Sequence, residues 1–390
     1  GDVYKRQVYE FLYKLWTPAL NRAKSEARML QEMIDEEGGG FDLEPWDWWY
    51  YAEKVKKATY DIDEEMLRPY FELDNVRKGA FELATRLFGI TFEELTDIPV
   101  YHEDVRAYEV KDADGSHIGI LYTDYYPRAS KRGGAWMGEY RGQKKQDGRM
   151  VTPVVTNCGN FSKPTAGQPA LLSLDEVLTL FHEFGHGLHG LLSECTYEAL
   201  SGTNVATDFV ELPSQIMENW VLEPEMLKIF ALHYETGEPM PDELIAKVRN
   251  ARLFNQGFEV TELLAASILD MDWHTITEPA ELDPIAFENE TFERIGLIPE
   301  IVSRYRTPYF RHIFSSGYAA GYYSYIWAGV LDADAFQAFK ETELFDRETG
   351  MRFREHILAK GGSEEPMTLY KRFRGKEPSI EPLLERRGLI

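Results

Sequence analysis

One segment constrains this chain more than any other: LSLDEVLTLFHEFGHGLHGLL, residues 172–192. Ser173 with Glu176 three residues on is a capping box, which starts a helix at that point. Val177, Phe181, Phe184, Leu188 and Leu191 recur at helical spacing and require a buried face. Of only 9 His in 390 residues, three fall between 182 and 189. His182 and His186 stand four apart, one turn along one face of that helix.

Two imidazoles so placed reach a single ion at roughly 2.0–2.1 Å. Glu183 follows the first histidine and lies beside the ion, not on it. The pattern His-Glu-x-x-His supplies two zinc ligands and a general base. His189 is about 10 Å along the axis from His182 at a rise of ~1.5 Å per residue, too far to share the ion, and reads as structural or supporting. A third ligand is still needed, with one position open for water. A metzincin would place Gly at 189 and His at 192; the chain has His189 and Leu192, which excludes that class. A carboxylate from TDFVELPSQIMENW, 207–220, is the alternative, and Asp208, Glu211 and Glu218 all qualify. Pro213 sets a helix start beside Glu211, but spacing alone does not choose among them; Asp208 and Glu218 are also candidates to support the ligand histidines.

A second group lies in YFRHIFSSGYAAGYYSYIW, 309–327. Its Gly-Ser centre reads as a mobile loop, with His312, Tyr318, Tyr322, Tyr323 and Tyr325 around it. Tyrosine hydroxyls and an imidazole are the donors that stabilise an oxyanion; an aromatic core helix is the competing explanation.

Composition narrows the remaining choices. The net charge of −24 disfavours nucleic acid and anionic membranes as partners. No run of 18 apolar residues is present, so no membrane span is expected. Two cysteines, Cys158 and Cys195, build neither a disulfide framework nor a thiolate zinc site. This pattern fits a cytoplasmic protein. The N-terminus carries no apolar signal-peptide core.

Along the chain, residues 8–106 read as a helical segment. Within it Asp74 is the expected N-cap and Gly89 the C-terminal glycine of one helix, and EPWDWWYYAEKVKK is an aromatic helix whose rings belong in the core. Residues 107–160 read as a small β-sheet and loop region: a hairpin around Asp-Gly, a Gly- and Lys-rich lid at 130–150, and a short strand at 151–157. Pro153 makes that strand an edge, against which an extended peptide would add. Residues 161–390 read as helical and carry the zinc motif.

FHEFGHGLHGL, SGTNVATDFVELPSQIMENW and HIFSSGYAAGYYSYIW together resemble the thimet-oligopeptidase family of zinc metallopeptidases, in particular its bacterial peptidyl-dipeptidase (dipeptidyl carboxypeptidase) branch. The resemblance runs from about residue 8 to the end; residues 1–7 share nothing with it and read as non-native. It implies a mainly α fold with a small β-sheet, the zincin-like catalytic half of a two-lobed, channel-forming metallopeptidase whose N-terminal half is absent. It further implies one Zn2+ per chain held by His182, His186 and Glu211, with Glu183 catalytic. His312, Tyr318 and Tyr325 match catalytic and substrate-binding positions, and Tyr322 matches a further substrate-binding tyrosine. The implied activity is release of dipeptides from the C-terminus of short peptides by a monomer; internal cleavage, or a zinc-stabilised fragment that binds without turnover, are the alternatives. Dipeptide release also needs a cation for the terminal carboxylate, for which Arg304, Arg306, Arg311 and His312 are near at hand.

Overall fold

The computed structural model describes residues 2–165, 167–278 and 281–390. The chain divides into two compact units, one of residues up to 63 with 247–330 and 380–390, the other of residues 64–246 and 331–379.

The first unit is helical. Its long members are α1 (Asp2–Glu36), α2 (Trp48–Tyr60) and α8 (Gln256–His274). Ala23, Ala27, Leu30 and Ile34 of α1 meet Trp48, Tyr51, Ala52 and Val55 of α2 and Phe258 of α8 in one apolar cluster. Glu26, buried in α1, accepts from the amides of Gly257 (3.0 Å) and Phe258 (2.8 Å). It thereby supplies the acceptor that the first turn of α8 lacks. The aromatic helix is divided: Trp48 is fully buried while Trp49 and Tyr50 are 56% and 60% exposed. The expectation of a wholly internal stripe therefore holds for one face only. Helices α9 (Pro284–Ile295), α10 (Arg311–Ser315) and α14 (Glu381–Arg386) complete this unit.

The second unit holds the sheet. Helix α3 (Leu73–Phe88) ends on Gly89 in the left-handed region, φ 77°. Its N-cap is Glu72, and Asp74 sits in the first turn, 3.0 Å from Arg77. Five strands follow in the order β1-β2-β3-β7-β4: β1 (Thr91–Leu95), β2 (Arg106–Lys111), β3 (His117–Asp124), β4 (Trp136–Arg141) and β7 (Val154–Cys158). A separate hairpin joins β5 (Lys144–Gln146) to β6 (Arg149–Val151).

Three further sequence expectations change here, besides the N-cap that falls on Glu72 and not Asp74. Residues 91–95 form a strand inside the stretch read as helical; TFEEL has no alternating apolar face, and only its backbone pairing with β2 reveals it. The 130–150 stretch holds three strands and not simply a lid. Residues 154–158 are no edge: β7 runs parallel to β3 on one side and antiparallel to β4 on the other. Pro153 stands just before the ladder, where its missing N–H costs nothing, and its carbonyl accepts from the Ile120 amide at 3.1 Å. Both sides of β7 are occupied, so no peptide can add there.

Helices α4 (Leu174–Leu191), α5 (Leu212–Val221), α6 (Pro224–Phe230), α12 (Arg347–Phe353) and α13 (Pro366–Arg374) lie in this unit. The division between the units falls within α7 (Asp242–Ala251) and α11 (Ser324–Lys340).

Candidate metal and catalytic site

The capping box is formed as written: Ser173 Oγ accepts from the Glu176 amide at 3.1 Å, and Glu176 Oε2 accepts from the Ser173 amide at 2.8 Å. Val177, Phe181, Phe184, Leu188 and Leu191 are buried, which turns His182 and His186 to the less buried side. The two imidazole rings are 5.0 Å apart and nearly perpendicular, at 84°.

Helix α5 presents the third group. Glu211 is its N-cap residue, followed by Leu212 and Pro213 in the first turn. Its Oε2 lies 3.2 Å from Nε2 of His182 and 3.2 Å from Nε2 of His186. That separation is close to the edge of a tetrahedron whose centre is ~2.0–2.1 Å from each donor. Among the described residues, this trio is the group whose donors, all within 4.8 Å of one another, are placed to hold a metal ion. Asp208, Glu218 and His189 are not part of it.

The surroundings fit a cation. Burial acts to raise the Glu211 carboxyl, yet the two imidazoles outweigh it and hold its pKa well below the usual carboxylate range. Burial acts to lower His182, but Glu211 and Glu218 hold it well above the usual imidazole value. Glu218 Oε1 is 2.7 Å from His182 Nδ1. This contact fixes the ring and points Nε2 at the trio, as carboxylates behind metal-ligating histidines do. Ser214 Oγ donates to Glu211 Oε2 at 2.9 Å.

Glu183 is 8% exposed, and its Oε2 has no hydrogen-bond partner among the described residues. Burial pushes its carboxyl above the ordinary value, against the pull of His182 and His186. A carboxylate so raised exchanges a proton more readily near neutrality. His189 is fully buried, and burial pushes its pKa down to about 3, so it packs as a neutral ring.

The tyrosine-rich group lies in the first unit. His312 of α10 is 6.0 Å from Tyr318, and Tyr318 stacks on Tyr325 at 5.2 Å and 5°. Tyr322 is buried 5.7 Å from His312 and 5.2 Å from Tyr325. The competing explanation of this stretch, an aromatic core, is thus met by Tyr322, while Tyr318 and Tyr325 are only partly buried.

Three supporting residues carried no legible signal. Asn157 of β7 donates to the Glu183 carbonyl at 2.6 Å, bracing α4 where the motif begins. Gly185 lets α5 approach: a Cβ there would stand 2.3 Å from the Pro213 carbonyl oxygen. Asp270, buried in α8, accepts from the amides of Ala320 (3.0 Å) and Tyr322 (2.8 Å). It pins the glycine-containing loop at Ala320, whose φ is +53°. A histidine-glutamate motif announces itself; a lone Asn in a strand or Asp in an apolar helix does not.

A mainly α chain with a small mixed sheet, carrying His-Glu-x-x-His on one helix and a carboxylate on the next, has the architecture of a zincin-like peptidase. The chain belongs to peptidase family M3, whose profile matches residues 3–389. It is 48% identical to the dipeptidyl carboxypeptidase of Escherichia coli (strain K12) over 386 residues, 97% of this chain and 56% of that protein. The dipeptidyl carboxypeptidase of Salmonella typhimurium is 47% identical over 97% of this chain and 56% of its own length. Oligopeptidase A of E. coli is 44% identical over 98% of this chain and 57% of its own length. The chain thus spans little more than half the length of these relatives.

Proposed function

We propose that this chain carries the catalytic centre of a zinc peptidase that releases dipeptides from the C-terminus of short peptides. The observation that carries the reading is the convergence of His182, His186 and Glu211, with Glu183 on the same helix as the two histidines. In this reading those three residues hold Zn2+, one per chain. The ion, when bound, would supply the positive charge that lowers the pKa of water and polarises a scissile carbonyl. Glu183 takes the proton of the attacking water and returns it to the leaving amine. Glu218 and Ser214 keep His182 and Glu211 aimed. Tyr318, Tyr325 and His312 donate to the substrate and to the oxyanion of the tetrahedral intermediate, and the buried Tyr322 packs against His312 and Tyr325 to hold their rings in place. Support for these last roles comes from their motif and from the stacked pair within their own unit.

Substituting Glu183→Gln tests the reading. We expect zinc content to stay at one per chain while peptide hydrolysis falls by ~10³-fold, within the ~10²–10⁴ range of general acid–base contributions. Full activity in that variant would sink the assignment of the base.

A second reading, internal cleavage of short peptides, is favoured by the 44% identity to oligopeptidase A. Peptides with free and amidated C-termini separate the two. Release of dipeptides from the free acid alone supports the first; equal cleavage of both supports the second.

A further inference from the structure

Four cationic candidates for the substrate's terminal carboxylate stand near the tyrosine-rich loop in sequence, and the first unit separates its arginines. Arg306 is already engaged: its Nε is 2.5 Å from Glu288 Oε1, and Glu288 is fully buried. Recruiting it would leave a buried charge without its partner, which is strongly unfavourable. Arg311 is exposed on α10 and stacks on no ring among the described residues.

Arg304 differs from Arg306 in being unpaired and from Arg311 in lying over an aromatic ring. It is exposed, yet among the described residues it forms no ion pair and no hydrogen bond. Its guanidinium carbon lies 5.8 Å from the centroid of the Tyr305 ring. Tyr305 is in turn 5.1 Å from His312 and 6.2 Å from Tyr322 by ring centroids. Burial acts to lower its pKa, but the neighbouring Tyr322, Tyr305, Glu262 and Tyr325 outweigh it and hold the guanidinium charged; Glu262 is not in ion-pair contact with it. The result is a planar fork of five N–H donors, steadied over an aromatic face and unspent, beside the residues assigned to substrate. Such a fork matches a carboxylate in a bidentate manner.

We propose that Arg304 binds the C-terminal carboxylate of the peptide and so sets the end from which this chain releases its product. The proposal rests on the peptidase reading above and adds the residue that selects free C-termini.

Calorimetric titration of the whole chain with the dipeptide Ala-Phe, as free acid and as C-terminal amide, tests it. The unsubstituted chain should bind the acid roughly 10- to 100-fold more tightly than the amide, the range of a hydrogen bond to a charged group. Arg304→Ala should bind the two alike, Arg304→Lys should recover part of the preference, and Arg311→Ala should keep all of it. Because Arg304 is exposed, its substitution should leave the melting temperature in place. Retention of the acid preference in Arg304→Ala overturns the proposal, as does its loss in Arg311→Ala or its absence from the unsubstituted chain. Binding reads the anchor without turnover, so the two ideas fail separately. A chain that hydrolyses peptides without an acid preference sinks the anchor alone. An Arg304-dependent preference without hydrolysis sinks the catalytic reading alone.

Discussion

His182 is gripped at both ring nitrogens, by Glu218 at Nδ1 and Glu211 at Nε2. The first contact sets the tautomer that leaves Nε2 free to bind a cation. Glu218→Gln should therefore weaken zinc binding by about 10- to 100-fold, read by competition with a chromogenic chelator, while Glu218→Asp should lose less. Glu139 makes a different statement. It faces Gly190 of α4 from β4, its Oε1 has no hydrogen-bond partner among the described residues, and burial pushes its pKa from 4.5 up to about 7. The native state then keeps a proton that the unfolded chain has released over that interval. Stability contributed by the neutral form is complete below pH 4.5 and is lost as pH rises through about 7, where the slope is negative because the native state binds more protons. Glu139→Gln should flatten this part of the stability profile, by an amount on the order of 1–3 kcal/mol, measured by denaturant melts at pH 5 and pH 8.

Helix α4 shows what an element needs beyond its own pattern. Its start and buried stripe follow from Ser173, Glu176 and the apolar spacing, but its distance from α5 depends on Gly185. A methyl group there would overlap the Pro213 carbonyl and the Ser214 Cα, at 2.3 and 2.6 Å. A glycine inside a helix costs roughly 0.5–1 kcal/mol against alanine, and here it is retained because Glu211 reaches the histidines only at close approach. Gly185→Ala should raise intrinsic helix propensity yet destabilise the protein by about 1–3 kcal/mol and reduce bound zinc, checked by thermal melts and metal analysis of one preparation. The sheet was less legible than this helix. Strand β1 has polar residues on both faces, and β7 owes its interior position to partners 30 or more residues away in β3 and to β4. Pairing of that kind is fixed by long-range hydrogen bonds that no local periodicity encodes.

At the scale of the molecule, a metal bound by the native trio and not by the unfolded chain would couple to folding. Zinc at a thousandfold excess over its Kd should add about 4 kcal/mol, raising the melting temperature in a concentration-dependent way, and a chelator should reverse the gain. His182→Ala should abolish the response. Among the described residues no helix is long and apolar enough to cross a membrane. Part of the site's geometry was readable in advance because it is local: a cap and a four-residue spacing act within a turn or two of backbone. Residues 182, 183 and 186 needed nothing more. Between Asp208, Glu211 and Glu218 the spacing was silent, since all three lie within one stretch of chain and differ only in the direction each faces once α5 packs on α4. The same holds for Arg304 and Arg306, two positions apart and alike in charge. Packing alone spends one on a buried glutamate and leaves the other unpaired, because a side chain's partners are chosen by the folded neighbourhood and not by its place in the string.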